Sequence, residues 1–414
     1  MIQLSLLITL ARKKRFTLKV EGTSMIPILQ PGDVLTLEKT AFLRIKENDV
    51  VMVIKNKQPM IHRVIYKAKN YLVTRGDHQM ESDGRIKPSR VYAKVVDVKR
   101  GAHQFRLENY YLIQSSRYFK SIASLCDILI KGNINFVILK GLPLHLFYEH
   151  THPKRIYADF DVLIDPKQLG KTDRILTRHG YECLETSYSE LHKRLKNKPT
   201  SLSYHKHTAD FPVALDLHLE PVFLFNQLGR LDALYPQHLL VQMTKEFLQN
   251  KQWVTNQNHR FPILSPAHLF VYLCLHFFHH NFRGIYRLHF IDTVLKKHYK
   301  QRIFWENVTG VIRKYRVGNF LYPTLSMLRL LLQTPIPKQI ISVPKLDRFA
   351  KYTIQKRIIH TPVFDDEGRL QAGIVRFVNL LILSPQPILS RLILVFDFAV
   401  WYSVLWSLWK IVMR

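Results

Sequence analysis

Two groups of residues in this chain have types and spacings that could do chemistry. Near the front, Ser24 stands in EGTSMIPILQPGDVL after a small-residue turn, His62 lies in the apolar run PMIHRVI, and TRGDHQMESDGR supplies Asp77 and Asp83. A serine hydroxyl is a poor nucleophile until a base takes its proton, and an imidazole with a pKa of about 6.5 can do that at neutral pH. Farther on, Asp159 and Asp161 form an Asp-x-Asp in KRIYADFDVLID, and Asp216 sits in ALDLHLE. Residues i and i+2 of a strand share a face, so Asp159 and Asp161 could grip one divalent ion together. Mg²⁺ takes hard oxygen ligands and shares its shell with substrate phosphates. Two such ions can stabilise both the attacking and the leaving oxygen.

The elements that must position these residues follow two grammars. From Phe16 to about Arg100 the chain reads as short β-rich runs broken by turn residues: FTLKVEG, DVLTLEK, DVVMVIK, IHRVIYK, YLVTRGD and VYAKVVDVKR. After Gly101 helix alternates with strand. Tyr111 to Lys131 is helical, NFVILKG and YADFDVLID are strands, KTDRILTRHG is a helix closing on Gly180, and FPVALDLHLE is another strand. Beyond about Leu231 the pattern is mainly helical, and Ser265 with Pro266 makes a helix start before AHLFVYLCLHFFHH. The expected architecture is multidomain: a small all-β domain over 1–100, an α/β core over 108–225, and a helical C-terminal region of the same body over 226–414. No repeat and no low-complexity linker interrupts it.

The three front segments, in this order over about residues 17–98, resemble the nucleophile, general-base and Gly-Asp boxes of signal peptidases and the related self-cleaving repressors. The base position holds His62 where many bacterial relatives carry lysine. That resemblance implies a small all-β, signal-peptidase-like serine peptidase. Ser24 would be its nucleophile, with a backbone N–H that helps form an oxyanion hole, and His62 its base. Asp83, by its position in the box, would be the group that orients the base. The segments FVILKGLPLHLFYEH, KRIYADFDVLID and ALDLHLE, with SPAHLFVYLCLH and YRLHFIDTVL after them, resemble the uncharacterised nucleotidyltransferase family of the DNA-polymerase-β-like superfamily. The match runs over roughly residues 110–300. It implies an α+β nucleotidyltransferase-like domain with a helical C-terminal half, Asp159, Asp161 and Asp216 as metal-holding catalytic carboxylates, and Lys140 and Gly141 at the nucleotide. Lys-Gly departs from the superfamily's usual Gly-Gly or Gly-Ser turn but is normal for this family.

His276, His279 and His280, and His218 beside Asp216, invite a metal reading, and 276 and 280 share a helical face. No third ligand is identifiable, so packing or support of the site is the expected role. Asp292 is expected to line the same cleft. Residues 330–390 carry no interpretable motif.

Lysine and arginine number 61 against 31 acidic residues, which favours anionic partners such as nucleotides, nucleic acid or a lipid surface. The excess is spread along the chain, and no RNA-module signature or basic-aromatic repeat accompanies it. The three cysteines, Cys126, Cys183 and Cys274, are odd in number and far apart, which excludes a disulfide framework and metal spacing. Buried thiols in a reducing cytosol are expected. The opening MIQLSLLITL is followed rather than preceded by basic residues and is too short to cross a bilayer, so a docked amphipathic helix is expected. The apolar stretch from Leu392 to Trp409 carries Trp401, Trp406 and Trp409 near a basic end. Asp397 inside it would cost roughly 2.5 to 3.5 kcal/mol at a bilayer centre. The expected location is therefore cytoplasmic, with peripheral membrane contact through 392–411 as an alternative to a buried helix.

These readings point to an enzyme, a nucleotidyltransferase fused to a serine endopeptidase. The body would transfer a nucleoside monophosphate from an NTP to an acceptor, with up to two Mg²⁺ ions. A peptide substrate, the chain itself included, would suit the front domain. The acceptor is left open among protein, peptide, RNA and small molecule. Two alternatives stand beside it: a peptide-processing or self-cleaving peptidase on a non-catalytic nucleotidyltransferase scaffold, and a non-enzymatic nucleic-acid or membrane-binding protein.

Overall fold

The computed structural model describes residues 13–401 apart from 56–57, 80, 143, 150–159, 185–199, 208–212, 222–233, 257, 342–345, 347, 365–368, 394–395 and 397–400. Asp159 and the opening apolar run thus lie outside the described residues.

The first sheet contains β1 (Arg15–Lys19), β2 (Val34–Glu38), β3 (Val50–Lys55), β4 (Gln58–Lys67), β5 (Leu72–Arg75), β6 (Arg85–Ile86), β7 (Val91–Arg100) and β8 (His103–Arg106). Their order is β1-β2-β7-β3-β4-β5-β6, with β8 also paired to β7, and the pairings are antiparallel. In β2 the leucines of VLTLE alternate with polar residues, so one face of the strand is buried and the other is partly wet. β3 reads as an unbroken apolar run because each of its faces meets a core. Val50 and Met52 enter one cluster with Leu35, Leu37 and Val98, whereas Val51 and Val53 enter another with Val64, Leu72 and Ile86.

The second sheet has the order β11-β12-β13-β10-β9-β15-β14. Its strands are β9 (Phe136–Ile138), β10 (Phe160–Ile164), β11 (Glu182–Cys183), β12 (Ser201–Lys206), β13 (Val213–His218), β14 (Lys251–Asn256) and β15 (His259–Leu264). β10 runs parallel to β13, and β15 parallel to β9; the other pairs are antiparallel. The β14–β15 hairpin lies where the sequence reads as mainly helical. Its strand β15 includes Pro262 and reaches the sheet through β9, far upstream in the chain, so its stability is tertiary rather than local.

The helices are α1 (Leu107–Lys131), α2 (Leu169–Arg178), α3 (Gln237–Gln249), α4 (Pro266–His279), α5 (Ile285–His298), α6 (Arg302–Tyr315), α7 (Gly318–Leu332) and α8 (Arg369–Leu383), with shorter helical pieces between and after them. α1 joins the two halves of the molecule. Leu107 and Tyr111 enter the front core, while Tyr118, Ile122, Cys126 and Leu129 pack with Phe261, Ile263 and β10 residues under the second sheet. α4 is apolar on nearly every side because it is the central helix of the C-terminal half, in contact with α5, α6 and α7.

The front sheet also docks on the helical half. Val73 belongs to the helical core, and Ile65, Tyr66 and Tyr71 pack against it. Ser82 Oγ donates to the Phe364 carbonyl at 3.2 Å, and the Arg85 guanidinium lies 4.1 Å from the centre of the Phe364 ring.

Two expectations are corrected. Cys126 and Cys274 are buried, but Cys183 is exposed because β11 is the edge strand of the second sheet. The expected location, cytoplasmic with membrane contact through 392–411, is corrected: among the described residues no helix is long and apolar enough to cross a membrane, and most of 392–411 lies outside them.

Candidate active sites

The Ser24 loop is held from three sides. Met25, Ile28 and Leu29 bury their side chains in the front core. Arg100 on β7 grips Asp33 with two nitrogens at 2.8 and 2.7 Å and also donates to the Ile28 carbonyl at 3.0 Å. On the third side the Gly76–Asp77 turn lies against Ser24, whose carbonyl accepts from the His78 N–H at 2.8 Å. A Cβ at residue 76 would come within 2.6 Å of that carbonyl, so only glycine permits the approach.

His62 lies on β4 opposite Val51 of β3 and is buried. Its Nε2 is 3.0 Å from Ser24 Oγ and its Nδ1 is 2.7 Å from Asp83 Oδ2. Thr74 on β5 donates to the same carboxylate oxygen at 2.6 Å, and the Asp83 N–H donates to the Thr74 carbonyl at 2.8 Å. The line therefore runs hydroxyl, imidazole, carboxylate, with a second hydroxyl anchoring the far end. Asp77, in the same segment as Asp83, does something else. It takes both Nε and Nη2 of Arg63 at 2.7 Å, and Arg63 also lies over the Tyr111 ring at 3.8 Å. Burial alone would lower the Arg63 pKa, but Asp77 outweighs it and the guanidinium is held charged. Asp77 thus ties the Ser24-facing turn to β4 and α1.

In the second sheet, Asp161 and Asp216 are register partners on parallel strands, which puts both carboxylates on one face. Asp161 is buried; Lys140 Nζ stands 2.9 Å from its Oδ2 and His218 Nε2 lies 3.0 Å from its Oδ1. Burial pushes Asp161 up, but Lys140 and His218 together hold its carboxyl below the usual range. Ser203, opposite Asp216 on β12, donates to Asp216 Oδ1 at 2.8 Å. Gly141 follows Lys140 at φ +78°, a left-handed turn that glycine adopts without strain. Lys140, Asp161, Asp216 and His218 thus meet at one end of the sheet, and Asp159 belongs to the undescribed residues before β10.

Among the described residues no three His, Cys, Asp or Glu are placed to hold a metal ion. The two described carboxylates still fit a hard divalent cation: they are oxygen donors on one face, and Lys140 already places positive charge on Asp161. Asp292, expected in this cleft, is committed elsewhere, accepting from Thr334 Oγ1 at 2.6 Å and pairing with Lys296. Thr74 and Ser203 escape a reading of the sequence, since each is an ordinary strand hydroxyl until register sets it against a carboxylate.

His276, His279 and His280 form a cluster at the end of α4, with the rings of 276 and 280 at 4.6 Å. Burial, then neighbouring cations that include Lys140, push all three well below the ordinary imidazole range, so they are neutral at pH 7.

No curated protein and no solved structure matches the chain. The family described as peptidase S24-like matches residues 2–83, which take in Ser24, His62 and Asp83. The second family covers residues 110–333 and takes in Lys140, Asp161, Asp216, His218 and the α4 histidines. Over more than half of its length, then, the chain belongs to the family described as uncharacterised nucleotidyltransferase, with a peptidase S24-like domain fused in front.

Proposed function

We propose that the body transfers a nucleoside monophosphate from an NTP to an acceptor nucleophile, and that the front domain is a serine peptidase. The observation that carries the transferase reading is the pairing of Asp161 with Asp216 on one face of parallel strands, beside the Lys140-Gly141 turn. Mg²⁺, held by Asp161 and Asp216, would supply charge neutralisation at the phosphates. Lys140, exchanging Asp161 for phosphate oxygens, would orient the triphosphate. His218 would fix the Asp161 rotamer as Lys140 leaves it. The acceptor hydroxyl oxygen would attack the α-phosphorus and lose its proton to water as the bond to the oxygen bridging to the β-phosphate breaks, and pyrophosphate would depart.

In the front domain, Ser24 Oγ would attack a peptide carbonyl as its proton passes to His62 Nε2. The imidazolium, stabilised by Asp83, returns that proton to the leaving amine, and water then hydrolyses the ester. A second reading makes peptide cleavage the principal activity, and one observation favours it. The Ser24, His62 and Asp83 side chains form a continuous hydrogen-bonded line.

Purified protein incubated with Mg²⁺, lysate as acceptor and each NTP labelled at the α-phosphate tests both readings. Label transfer that survives Ser24→Ala and is lost in Asp161→Ala supports the transferase. No transfer in the wild type, together with a cleaved fragment lost only in Ser24→Ala, replaces the first reading by the second.

A further inference from the structure

The helical half contributes a group of side chains to the carboxylate end of the sheet that the proposed chemistry has not yet used. His276, His279 and His280 stand together, with ring centres 4.6, 5.4 and 6.5 Å apart. Arg376 on α8 donates from Nη1 to His279 Nε2 at 3.0 Å, which requires that ring to be a neutral acceptor. Arg287 on α5 acts electrostatically on all three histidines, as does Lys140 from the sheet side. Lys140, the partner of Asp161, and Arg287 act on the same three histidines, and Arg376 bonds one of them, so the cluster lies beside the Lys140 end of the sheet.

The backbone is shaped for this convergence. The turn between α4 and α5 carries Asn281, Phe282 and Gly284 at φ +52°, +59° and +89°, an unusual density of left-handed residues. A Cβ on Gly284 would fall 2.4 Å from Arg287 Nη1, so the glycine makes room for that guanidinium. Arg287 donates to the Arg283 carbonyl, and among the described residues no carboxylate pairs with it. Asn281 ties the turn to α8 through the Ala372 carbonyl at 2.8 Å, which sets Arg376 in register with α4. Facing these groups, His218 is 8% exposed, and its Nδ1 is buried with no hydrogen-bond partner. A buried imidazole nitrogen without a partner is costly unless a ligand completes it.

Lys140 already has Asp161, whereas Arg287 and Arg376 add further positive charge beside neutral imidazoles, an arrangement that an additional anion stabilises. The C-terminal end of α4 contributes carbonyl dipoles that repel anions, so the side chains must supply the attraction. Guanidinium groups suit phosphate oxygens because their donors form a planar fork.

We propose that Arg287, Arg376 and the His276/His279/His280 cluster form a polyphosphate-binding wall opposite Asp161 and Asp216, holding the β- and γ-phosphates of the nucleotide. This rests on the reading of the body as an NTP-using transferase, and it assigns the helical half a substrate-binding role. His279 is a positioning residue: it accepts from Arg376 and sets the direction of that guanidinium.

The test is titration calorimetry of the full chain with two probes, inorganic tripolyphosphate and an α,β-methylene analogue of ATP, which cannot be cleaved at the transferred bond. Arg287→Ala and Arg376→Ala should each weaken both probes by about 10- to 100-fold in Kd. Arg376→Lys should recover part of the loss, and Lys171→Ala, exposed on α2, should change nothing. His279→Gln should weaken binding less than Arg376→Ala does. If an alanine variant fails to fold, as judged by its melting curve, the matching arginine-to-lysine variant provides the comparison. Unchanged Kd in folded variants, no binding of either probe to the wild type, or loss confined to the ATP analogue would each overturn the wall. Arginine-dependent tripolyphosphate binding without any label transfer from NTPs would keep the wall and remove the transferase reading. Label transfer whose KM ignores both arginines would do the reverse.

Discussion

The two sites solve the problem of positioning charge in opposite ways. In the front domain, the hydroxyl, imidazole and carboxylate of Ser24, His62 and Asp83 lie in a line on one sheet, and Thr74 holds the end of it. Nothing has to move for Ser24 to lose its proton to His62. In the body, the lone pairs of Asp161 are taken by Lys140 and His218, and Asp216 accepts from Ser203. A cation and a phosphate, if the site takes them as proposed, would have to compete with the Lys140 to Asp161 contact. The first arrangement is organised in advance. The second holds its carboxylates in internal contacts with Lys140, His218 and Ser203, which a ligand would have to exchange.

The sharpest way to break this comparison is Ser24→Ala. Removing the nucleophile of a pre-organised site should lower peptide hydrolysis by roughly 10⁴- to 10⁶-fold in kcat, while label transfer by the body stays unchanged. A fluorogenic peptide assay run beside the label-transfer assay reads both numbers. Asp83→Asn should come next, at roughly 10⁴-fold, since the imidazole would lose the acceptor that fixes its tautomer. Equal label transfer in both variants and wild type would establish that the sites act separately, whereas a parallel drop would show that docking through Val73, Tyr71 and Phe364 carries coupling.

On the body's side, Asp161→Asn should reduce label transfer by roughly 10²- to 10³-fold and leave peptide hydrolysis intact. The amide keeps the shape of the side chain but loses the charge that Lys140 pairs with. A variant as active as wild type would remove Asp161 from the chemistry and leave Lys140 and His218 as structural partners.

How much of this was legible in the sequence follows the range of the contacts. The β grammar before residue 100 and the Ser24, His62 and Asp83 segments are local patterns, readable because each strand carries its own alternation and each box its own turn residues. Lys140 could be marked as a candidate site residue through the family resemblance, but its place on Asp161 could not, since that needs the end of β9 beside β10. Ser203, Thr74, Arg287 and Arg376 were invisible for the same reason: each becomes relevant through register or through packing of distant helices. The β14–β15 hairpin was missed because its strand character comes from docking on β9. Asp292 was placed in the cleft by sequence proximity to the histidines, whereas α5 turns it toward Thr334 and Lys296.

A smaller effect concerns what holds the helical wall in place. Glu246 on α3 accepts from His268 on α4 and from Lys314 and Tyr315 on α6, so one carboxylate pins three helices. Burial alone would raise its pKa; the bonds from His268, Lys314 and Tyr315 outweigh that and hold it down to about 2. A folded-state value below the ordinary 4.5 means that its stabilisation is complete above that pH and is lost as pH falls toward about 2. Glu246→Gln should therefore cost about 1 to 3 kcal/mol at pH 7, measured by urea unfolding, and the gap from wild type should narrow on acidification. A gap that stays constant with pH would mean that the carboxylate's charge contributes nothing.

The smallest effect, and the one that discriminates best within the front site, belongs to Thr74. Its hydroxyl is the second donor on the Asp83 oxygen that faces His62, and it sits on the strand whose next residue, Arg75, meets Tyr286 of the body. Thr74→Val keeps the volume and the β-branched backbone preference while removing the donor. If the line is organised in advance by that bond, kcat/KM for peptide hydrolysis should fall about 2- to 10-fold, as expected for one neutral hydrogen bond, with KM unaltered. Thr74→Ser restores the hydroxyl and should restore the rate. Should Thr74→Ser be as slow as Thr74→Val, the methyl packing rather than the bond is what matters, and the contrast between a site fixed in advance and one completed by its substrate loses its anchor on the front side.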